Sequence, residues 1–567
     1  MPDAGERRST LLRTWLFPLS ILGGAAFTVF VLAAWVDVSG SHDPLALVEL
    51  VVRPNPAAAQ AALANAGQVI TAVLGIAITV VAIIVELASN RYTHRITELF
   101  VREPVNFVVM GFFVVTALQS MFSALMLDNG PGGSGFVPYL SIGISIGMLT
   151  LSLLILLPYF AFVFEFLNPV SIVNRIRAHT LDVVKKERTR PRSGARPETV
   201  RGIEQLADVA LNAMENKDKG VSMASVDALR TLVIDYQAAR EGLPEAWFTV
   251  DGELAHNPDF VSMAPEVLDE VRVRRYWLEL KVLRQYQTLY NEALNRMRDI
   301  NYLIAINTRL VAEAALRGKN EALVELVIKF FNTYLRATIN ARDVRTAYNV
   351  LNQYRLLAEA ALTMERGERA VEIAKYFKYY GLLSFSAKLP FILETVAYDL
   401  CALNELAFDK RSKSSRDILR IFLEVDKESE GDVQETSLRG VRKAQVKLAA
   451  YYLVKGDEEL ARVVYRDMAS ERTERLASIR DELLNVMSAD FWEISDRGRN
   501  FDYLDPKRKA KMLQFFEWFG DILPPRASLV RSVTGEMASV APDSAPTPAR
   551  TSKPDELPPA DGGAAPA

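Results

Sequence analysis

The pattern of apolar and polar positions divides the chain at about residue 170. Before it, four stretches stay apolar over the roughly 20 residues that a helix needs to cross a hydrocarbon core of about 30 Å. They are residues 14–36, 69–89, 105–127 and a stretch within 129–164. The first, third and fourth carry no charge, and the second none until Glu86. After residue 170, apolar residues recur every third or fourth position, the period of helices with one buried face. Leu323, Leu326, Val327, Phe330, Phe331, Tyr334 and Leu335 form one such face. The pattern predicts an all-α fold: four transmembrane helices, then a large cytoplasmic α-helical domain, bundled or solenoid-like.

Finer patterning predicts the segments. Residues 1–14 are a tail, 15–168 a four-helix membrane domain and 169–240 a basic, helical juxtamembrane segment. Residues 241–266 are a linker, where Asp251-Gly252 predicts a turn of a small hairpin. Residues 267–530 form the helical domain. Within it Leu448, Ala449, Tyr452, Gly456 and Ala461 resemble a tetratricopeptide unit, with helices expected over 444–453 and 458–468. A poorer match lies at Arg355–Ala361, Gly367 and Ala370–Tyr380. Residues 531–567, rich in Pro and Ala, are expected to be disordered because they bury too little apolar surface to offset chain entropy.

Lys and Arg placement orients the spans. Arg7, Arg8 and Arg13 precede the first, and Arg91, Arg95 and Arg102 follow the second. Seven cations from Arg175 to Arg192 follow the fourth, whereas the intervening loops hold only Arg53. Both termini are therefore expected on the cytoplasmic side. A signal peptide is the alternative for the first span, although its apolar run is longer than the usual h-region.

Parts of the membrane region resemble a known family. AAAQAALANAGQVITAVLGIAITV at 58–81 is similar to its entry into the second span. VELASNRYTHRITELF resembles its hallmark through Glu86, Ala88, Ser89, Tyr92, Thr93 and Arg95. The similarity continues through Arg102, Asn106, Gly111 and Phe112, and through PYFAFVFEFLNPVSIVNRI at 158–176. Weaker similarity reaches 204–217 and 248–254. The family is the bacterial predicted membrane protein family DUF2254. Glu86 and His94 depart from its expected glutamine and proline. The resemblance implies a multi-pass protein of the bacterial inner membrane and brings no activity and no functional residues.

Polar residues inside the spans are the candidate chemistry. Gly75, Thr79, Glu86, Asn90 and Thr93 share a stripe expected to face protein or water. Thr116, Gln119, Ser120 and Ser123 lie on the third span. The fourth carries Ser141, Ser145, Thr150 and Gly143-x-x-x-Gly147, a candidate packing motif. Two readings stand. One is a packed bundle with Glu86 and Glu165 at the rim, paired with Arg91, Arg95 or Arg175. The other is a polar path through Thr79, Glu86, Asn90, Gln119 and Ser123, as in a homo-oligomeric channel or transport protein. Lys185, Lys186, Arg188, Arg190 and Arg192 are candidate contacts to anionic lipid.

Composition narrows the classes. The 567 residues are 50 % hydrophobic and 24 % charged, a globular average that hides the apolar first third. A net charge of −3 gives no global basic field, so no nucleic-acid partner is expected. Two basic clusters, Lys410, Arg411, Lys413 and Arg416, then Lys507, Arg508, Lys509 and Lys511, read as solvated helix ends. The single Cys401 excludes a disulfide framework and is expected to pack inside a helix pair. His42, His94, His179 and His256 form no zinc-binding pair. There is no phosphate loop or nucleophile elbow, so no catalytic role, metal or cofactor is expected. The leading expectation is a membrane anchor for a cytoplasmic helical domain that binds a protein partner or senses a signal. Membrane lipids and the homo-oligomer are the other expected partners.

Overall fold

The computed structural model describes residues 56–91, 103–127, 138–191, 194–426, 435–490 and 500–520, with isolated positions elsewhere. The expected first span at 14–36 lies almost wholly outside these residues. The tails at 1–14 and 531–567 lie outside them entirely. The chain divides into two compact units, Met1–Tyr376 with Ser386–Ile392, and Phe377–Phe385 with Leu393–Ala567.

In the first unit, α1 (Pro56–Arg91), α2 (Pro104–Leu125) and α3 (Tyr139–Phe166) are long and apolar enough to cross a membrane. Among the described residues there are three such helices rather than four. α1 has 36 residues, about 54 Å at 1.5 Å per residue, so it outruns a hydrocarbon core of about 30 Å. At one end Ala59 and Leu63 of α1 meet Leu127, just past α2, and Ile142 of α3. At the other end Phe100, just before α2, meets Phe166 edge-to-face at 5.3 Å. Successive helices therefore run in opposite directions. The segment between α1 and α2 and the chain after α3 leave the bundle at the same end.

Asn168 then starts α4 (Pro169–Thr189). Its side-chain oxygen accepts from Val170 N at 3.0 Å, and Pro169 takes the first helical position, where no N–H is needed. α4 packs on α5 (Ala195–Glu215) and α6 (Lys219–Ala239). Gly202 permits the close approach of α4 and α5, since a Cβ there would fall 2.0 Å from Thr180 Oγ1.

The expected hairpin in 241–266 is absent. A 3₁₀ turn (Glu245–Phe248), the short α7 (Gly252–Ala255) and α8 (Pro265–Arg274) stand there, and no strand occurs among the described residues. Adjacent Trp247 and Phe248 are both buried, which a strand with alternating faces does not allow. Trp247 Nε1 donates to Tyr236 OH at 3.1 Å, and Trp277 Nε1 donates to Trp247 O at 2.7 Å.

A regular array follows: α9 (Trp277–Arg296), α10 (Arg298–Arg317), α11 (Glu321–Asn340), α12 (Val344–Thr363), α13 (Gly367–Ser386) and α14 (Pro390–Asp409). Helices α10 to α14 are each 20 residues long and start at 298, 321, 344, 367 and 390, a step of 23 every time. Their turns repeat too. Lys319, Arg342, Glu365, Lys388 and Arg411 all adopt left-handed backbone, again 23 apart. At most of these turns the next N–H reaches back five residues, as in Asn320 N to Ala315 O at 2.9 Å and Asp343 N to Thr338 O at 3.1 Å. Asn320 and Asp343 then cap the following helix. In the first unit α9 packs on α5 and α11, and α10 packs on α6 and α12. Two rows of helices thus form a solenoid. Stacked rings fill it, Tyr290 on Tyr334 at 4.5 Å and Phe331 on Tyr354 at 4.8 Å.

The second unit contains most of α14, then α15 (Ser415–Leu423), α16 (Glu435–Lys455), α17 (Glu458–Met468), α18 (Thr473–Asn485) and α19 (Pro506–Glu517). α16 packs on α17, α18 and α19. The expected helix–turn–helix over 444–468 is present. Gly456 turns it at a φ of 82°, and Leu448, Ala449, Tyr452 and Ala461 are buried.

Candidate functional site

The buried positions of α2 are Asn106, Phe113, Thr116, Ser120 and Ser123, and those of α3 include Ile142, Ser145, Ser152 and Tyr159. These follow the three-four spacing of a helix seam, but hydroxyls occupy much of it, as suits packing in lipid where burying leucine gains nothing. Thr116 Oγ1 lies 3.1 Å from Ser152 Oγ. Gln119 Nε2 donates to Ser141 Oγ at 3.0 Å and to Ser123 Oγ at 3.2 Å. Ser123 Oγ lies 2.6 Å from Ser141 Oγ and 3.0 Å from Ser145 Oγ. Ser120 Oγ is buried without a hydrogen-bond partner, beside Gly67 of α1. Near one end Tyr159 OH donates to Asn106 Oδ1 at 3.3 Å, and the Asn106 amide donates to Phe100 O.

The seam unites Gln119 and Ser123 of the expected path and leaves Thr79, Glu86 and Asn90 apart. Those three are exposed, as is Gly75. The stripe expected to face protein instead points outward. Ala59, Leu63, Ile70, Ala77, Val81 and Val85, at the same helical spacing, take the packing face. Thr79 satisfies its hydroxyl on its own helix, donating to Gly75 O at 2.9 Å. Thr93 lies outside the described residues. Gly143 and Gly147 are a second correction: both are exposed, and a Cβ on either would meet nothing within 4 Å. The packing face of α3 runs through Ser145 and Ser152 instead.

A collar forms where α3 ends. Arg175 pairs with Glu103 at 3.0 Å and lies over the Phe166 ring at 4.2 Å. Arg175 therefore serves Glu103, not Glu165 as expected. Glu165 accepts from Ser171 Oγ at 3.1 Å. Arg95 lies outside the described residues. On α4, Lys185, Lys186, Arg188 and Arg190 are exposed, and Lys186 pairs with Asp182 at 2.6 Å. Arg192 lies outside the described residues. Lys185 stands 16 residues into α4, about 24 Å of helix from its start, rather than directly beside the apolar bundle.

Beyond the collar, buried charges tie helices together. Lys281 on α9, 1 % exposed, donates to Glu204 Oε1 at 2.7 Å, Asn257 Oδ1 at 2.8 Å and the Asp259 carboxylate. Burial, reinforced by Glu204, raises the pKa of the nearby Asp208 carboxyl. Glu279, fully buried, accepts from Gln237 at 2.7 Å and Arg240 at 3.3 Å, and burial raises its pKa. A shallow cavity of ≈ 480 Å³ is lined by Arg196, Arg201, Asp251 and Glu253, among others. Arg196 already pairs with Asp251 at 2.7 Å. The Lys281, Glu279–Arg240 and Arg196–Asp251 pairings staple separate segments to one another.

In the second unit Cys401 is buried, and desolvation raises its thiol pKa far above the ordinary range. It packs between helices as expected. The two basic clusters behave differently. Lys410, Arg411, Lys413 and Arg416 are exposed. In the other cluster, Arg508 makes two hydrogen bonds of 2.9 Å to Glu405, and Lys509 is fully buried with Nζ 3.6 Å from Met487 Sδ. That cluster holds the unit together and is not simply a solvated helix end.

A family model described as "Predicted membrane protein (DUF2254)" matches residues 12–210. That stretch takes in the three apolar helices, α4 and most of α5. It includes the resemblance at 58–177 and stops short of the solenoid helices from α6 onward. No curated protein and no solved structure matches the chain.

Proposed function

We propose that the chain is a multi-pass protein of the bacterial inner membrane whose spans anchor and orient a cytoplasmic α-solenoid for binding another protein. The observation that carries this reading is the junction between α3 and α4. Only Leu167 and Asn168 separate the two helices, the turn is capped by Asn168, and the Arg175–Glu103 pair braces it. α4 is also the helix on which α5 and α6 pack. A solenoid mounted this way presents its surface at a set angle to the bilayer, and stacked helix pairs are suited to hold extended segments of other proteins. α1 ends and α4 begins at the same end of the bundle, and the arginines that the sequence carries at 91–102 and the cations of α4 favour that end as cytoplasmic. Lys185, Lys186, Arg188, Arg190 and Arg192 then steady α4 against anionic headgroups if the helix lies along the surface.

The test is site-specific photocrosslinking in living cells, with probes at exposed solenoid positions such as Arg317 and Lys329. We expect one recurrent protein adduct from several solenoid positions and none from probes on the lipid-facing side of the bundle. Reporter fusions at residue 132 and after residue 520 check the orientation. No adduct at any solenoid position, or an outward-facing solenoid, would overturn the reading.

The outward face of α1 supports a second reading. The seam between α2 and α3 is closed by its own hydrogen bonds, so a polar path would run between copies of the chain, along Thr79, Glu86 and Asn90. A ring of four or more copies in native mass spectra of nanodiscs, with ion flux altered by Glu86→Gln, is its expected signature. A monomer or dimer removes it.

A further inference from the structure

The connection between α18 and α19 is held as a ligand is held. Most connections run over a surface with their backbone solvated. Here Asn500–Leu504, which is not helical, lies against side chains of α14 and α16. The Phe501 ring stacks on Tyr398 at 4.8 Å, with 14° between planes. The Asp502 carboxylate accepts from the Tyr398 hydroxyl and from Lys443 Nζ, the latter at 2.8 Å. Lys447 Nζ donates to the carbonyls of Phe501 and Tyr503, the second at 3.0 Å, and sits 5.4 Å from the centre of the Tyr398 ring. Leu504 is buried. Arg497, just upstream, makes a buried ion pair with Asp399 of α14.

These contacts divide as peptide recognition does. The lysine bonds to main-chain carbonyls hold any extended segment, while the ring stack and the paired carboxylate read an aromatic residue followed by an acid. Burial holds the Lys447 pKa below the ordinary lysine range, so this ammonium depends on those carbonyls in place of water. An empty groove would expose Tyr398 and leave Lys443 and Lys447 with fewer acceptors. At the far end Asp505 caps α19 through Arg508 N at 3.1 Å, which marks where a released segment would stop peeling away.

We propose that the α14–α16 groove is a peptide-binding site, that Asn500–Leu504 is its resident occupant, and that a partner segment with an aromatic residue followed by an acidic one displaces it. The proposal rests on the reading of the helical region as a protein-binding surface. Because the occupant is tethered, its effective concentration is of order millimolar, so even a weak intramolecular fit keeps the groove closed until a partner competes.

The experiment uses the full chain in nanodiscs and a fluorescent peptide with the sequence of residues 497–505. Phe501→Ala with Asp502→Ala removes the ring stack and the carboxylate contacts and so weakens the tethered occupant. This variant is expected to bind the peptide about tenfold or more tightly than the parent chain does. A peptide with its aromatic and acidic residues replaced by alanine should bind neither protein. If the double variant lacks a cooperative melt, Asp502→Asn, which keeps the side-chain volume, takes its place. Hydrogen exchange on the parent is read alongside, and amides of 500–504 are expected to exchange faster than those of α14 and α16. A folded variant that ignores the peptide, or a segment that exchanges only with global unfolding, overturns the proposal. Solenoid crosslinks that persist without peptide binding sink this inference alone; their absence sinks the broader reading as well.

Discussion

The bundle of α1–α3 and the solenoid that follows are both helical, and they are built inside out with respect to each other. In the bundle the seam carries Thr116, Gln119, Ser123, Ser141, Ser145 and Ser152, while Val, Ile, Leu and Phe cover the outside. Most exposed large apolar side chains of the described residues fall between Val29 and Val170. In the solenoid the interior is Leu, Tyr, Trp and Phe, and charges cover the exterior. The difference teaches what each solvent leaves available as a driving force. In water, removing apolar area from solvent holds helices together. In lipid that term vanishes, and close packing plus hydrogen bonds between small polar groups remain.

Substitutions in the two regions should therefore differ most where the two forces differ most. Phe331→Ala empties a fully buried stacked site in the solenoid and is expected to cost about 3–5 kcal/mol in denaturant unfolding. Lys281→Ala leaves Glu204 and Asp259 without their cation, and a loss of about 3 kcal/mol is expected in the same assay. Ser123→Ala in the seam should cost only about 1 kcal/mol, read by titrating the helicity of the embedded protein with a denaturing detergent. A loss as large as that of Phe331→Ala would break the comparison.

Smaller effects sharpen it. Lys319→Gly relieves a left-handed backbone at a φ of 55°, and a gain of about 0.5 kcal/mol is expected after glycine's own entropy cost. Glu279→Gln is a test by pH. Because burial raises the folded pKa of Glu279, the native state binds the extra proton, and stability falls as pH rises from the unfolded to the folded value. The advantage of Gln over Glu should therefore be absent below the unfolded pKa, grow as pH rises through that window and level off above the folded pKa. The smallest effect is expected for Gly143→Ala with Gly147→Ala, which should leave the detergent titration of the bundle unchanged, since nothing stands within 4 Å of either added Cβ.

The sequence made three spans, the helical remainder and the turn at Gly456 legible, because each depends on a local pattern that neighbours do not override. The face of α1 was not legible. Thr79, Glu86 and Asn90 do share a stripe, but which stripe packs is decided by what α2 and α3 offer, and they offer a match for Ala77, Val81 and Val85. Gln119 and Ser123 are legible because they are polar where lipid disfavours polarity. The hairpin failed on two adjacent aromatics, Trp247 and Phe248, both drawn inward. The 23-residue step is faint in the sequence for a different reason. A turn with left-handed backbone normally advertises itself with glycine, and here Lys, Arg and Glu hold those positions. The signal that remains is faint, a basic residue followed by Asn or Asp in two of the five turns, at Lys319-Asn320 and Arg342-Asp343.

That step carries a rule of parity for how such a chain can lengthen. Each unit of 23 residues is one helix and one turn, so it reverses the chain direction, and α9 and α11 share one row while α10 and α12 share the other. Gaining or losing a single unit would swap the rows for every helix downstream and turn its outward face inward. Gaining or losing two would restore both direction and face. Relatives of different length should therefore differ here by whole pairs, and a viable deletion in the array should remove 46 residues or none.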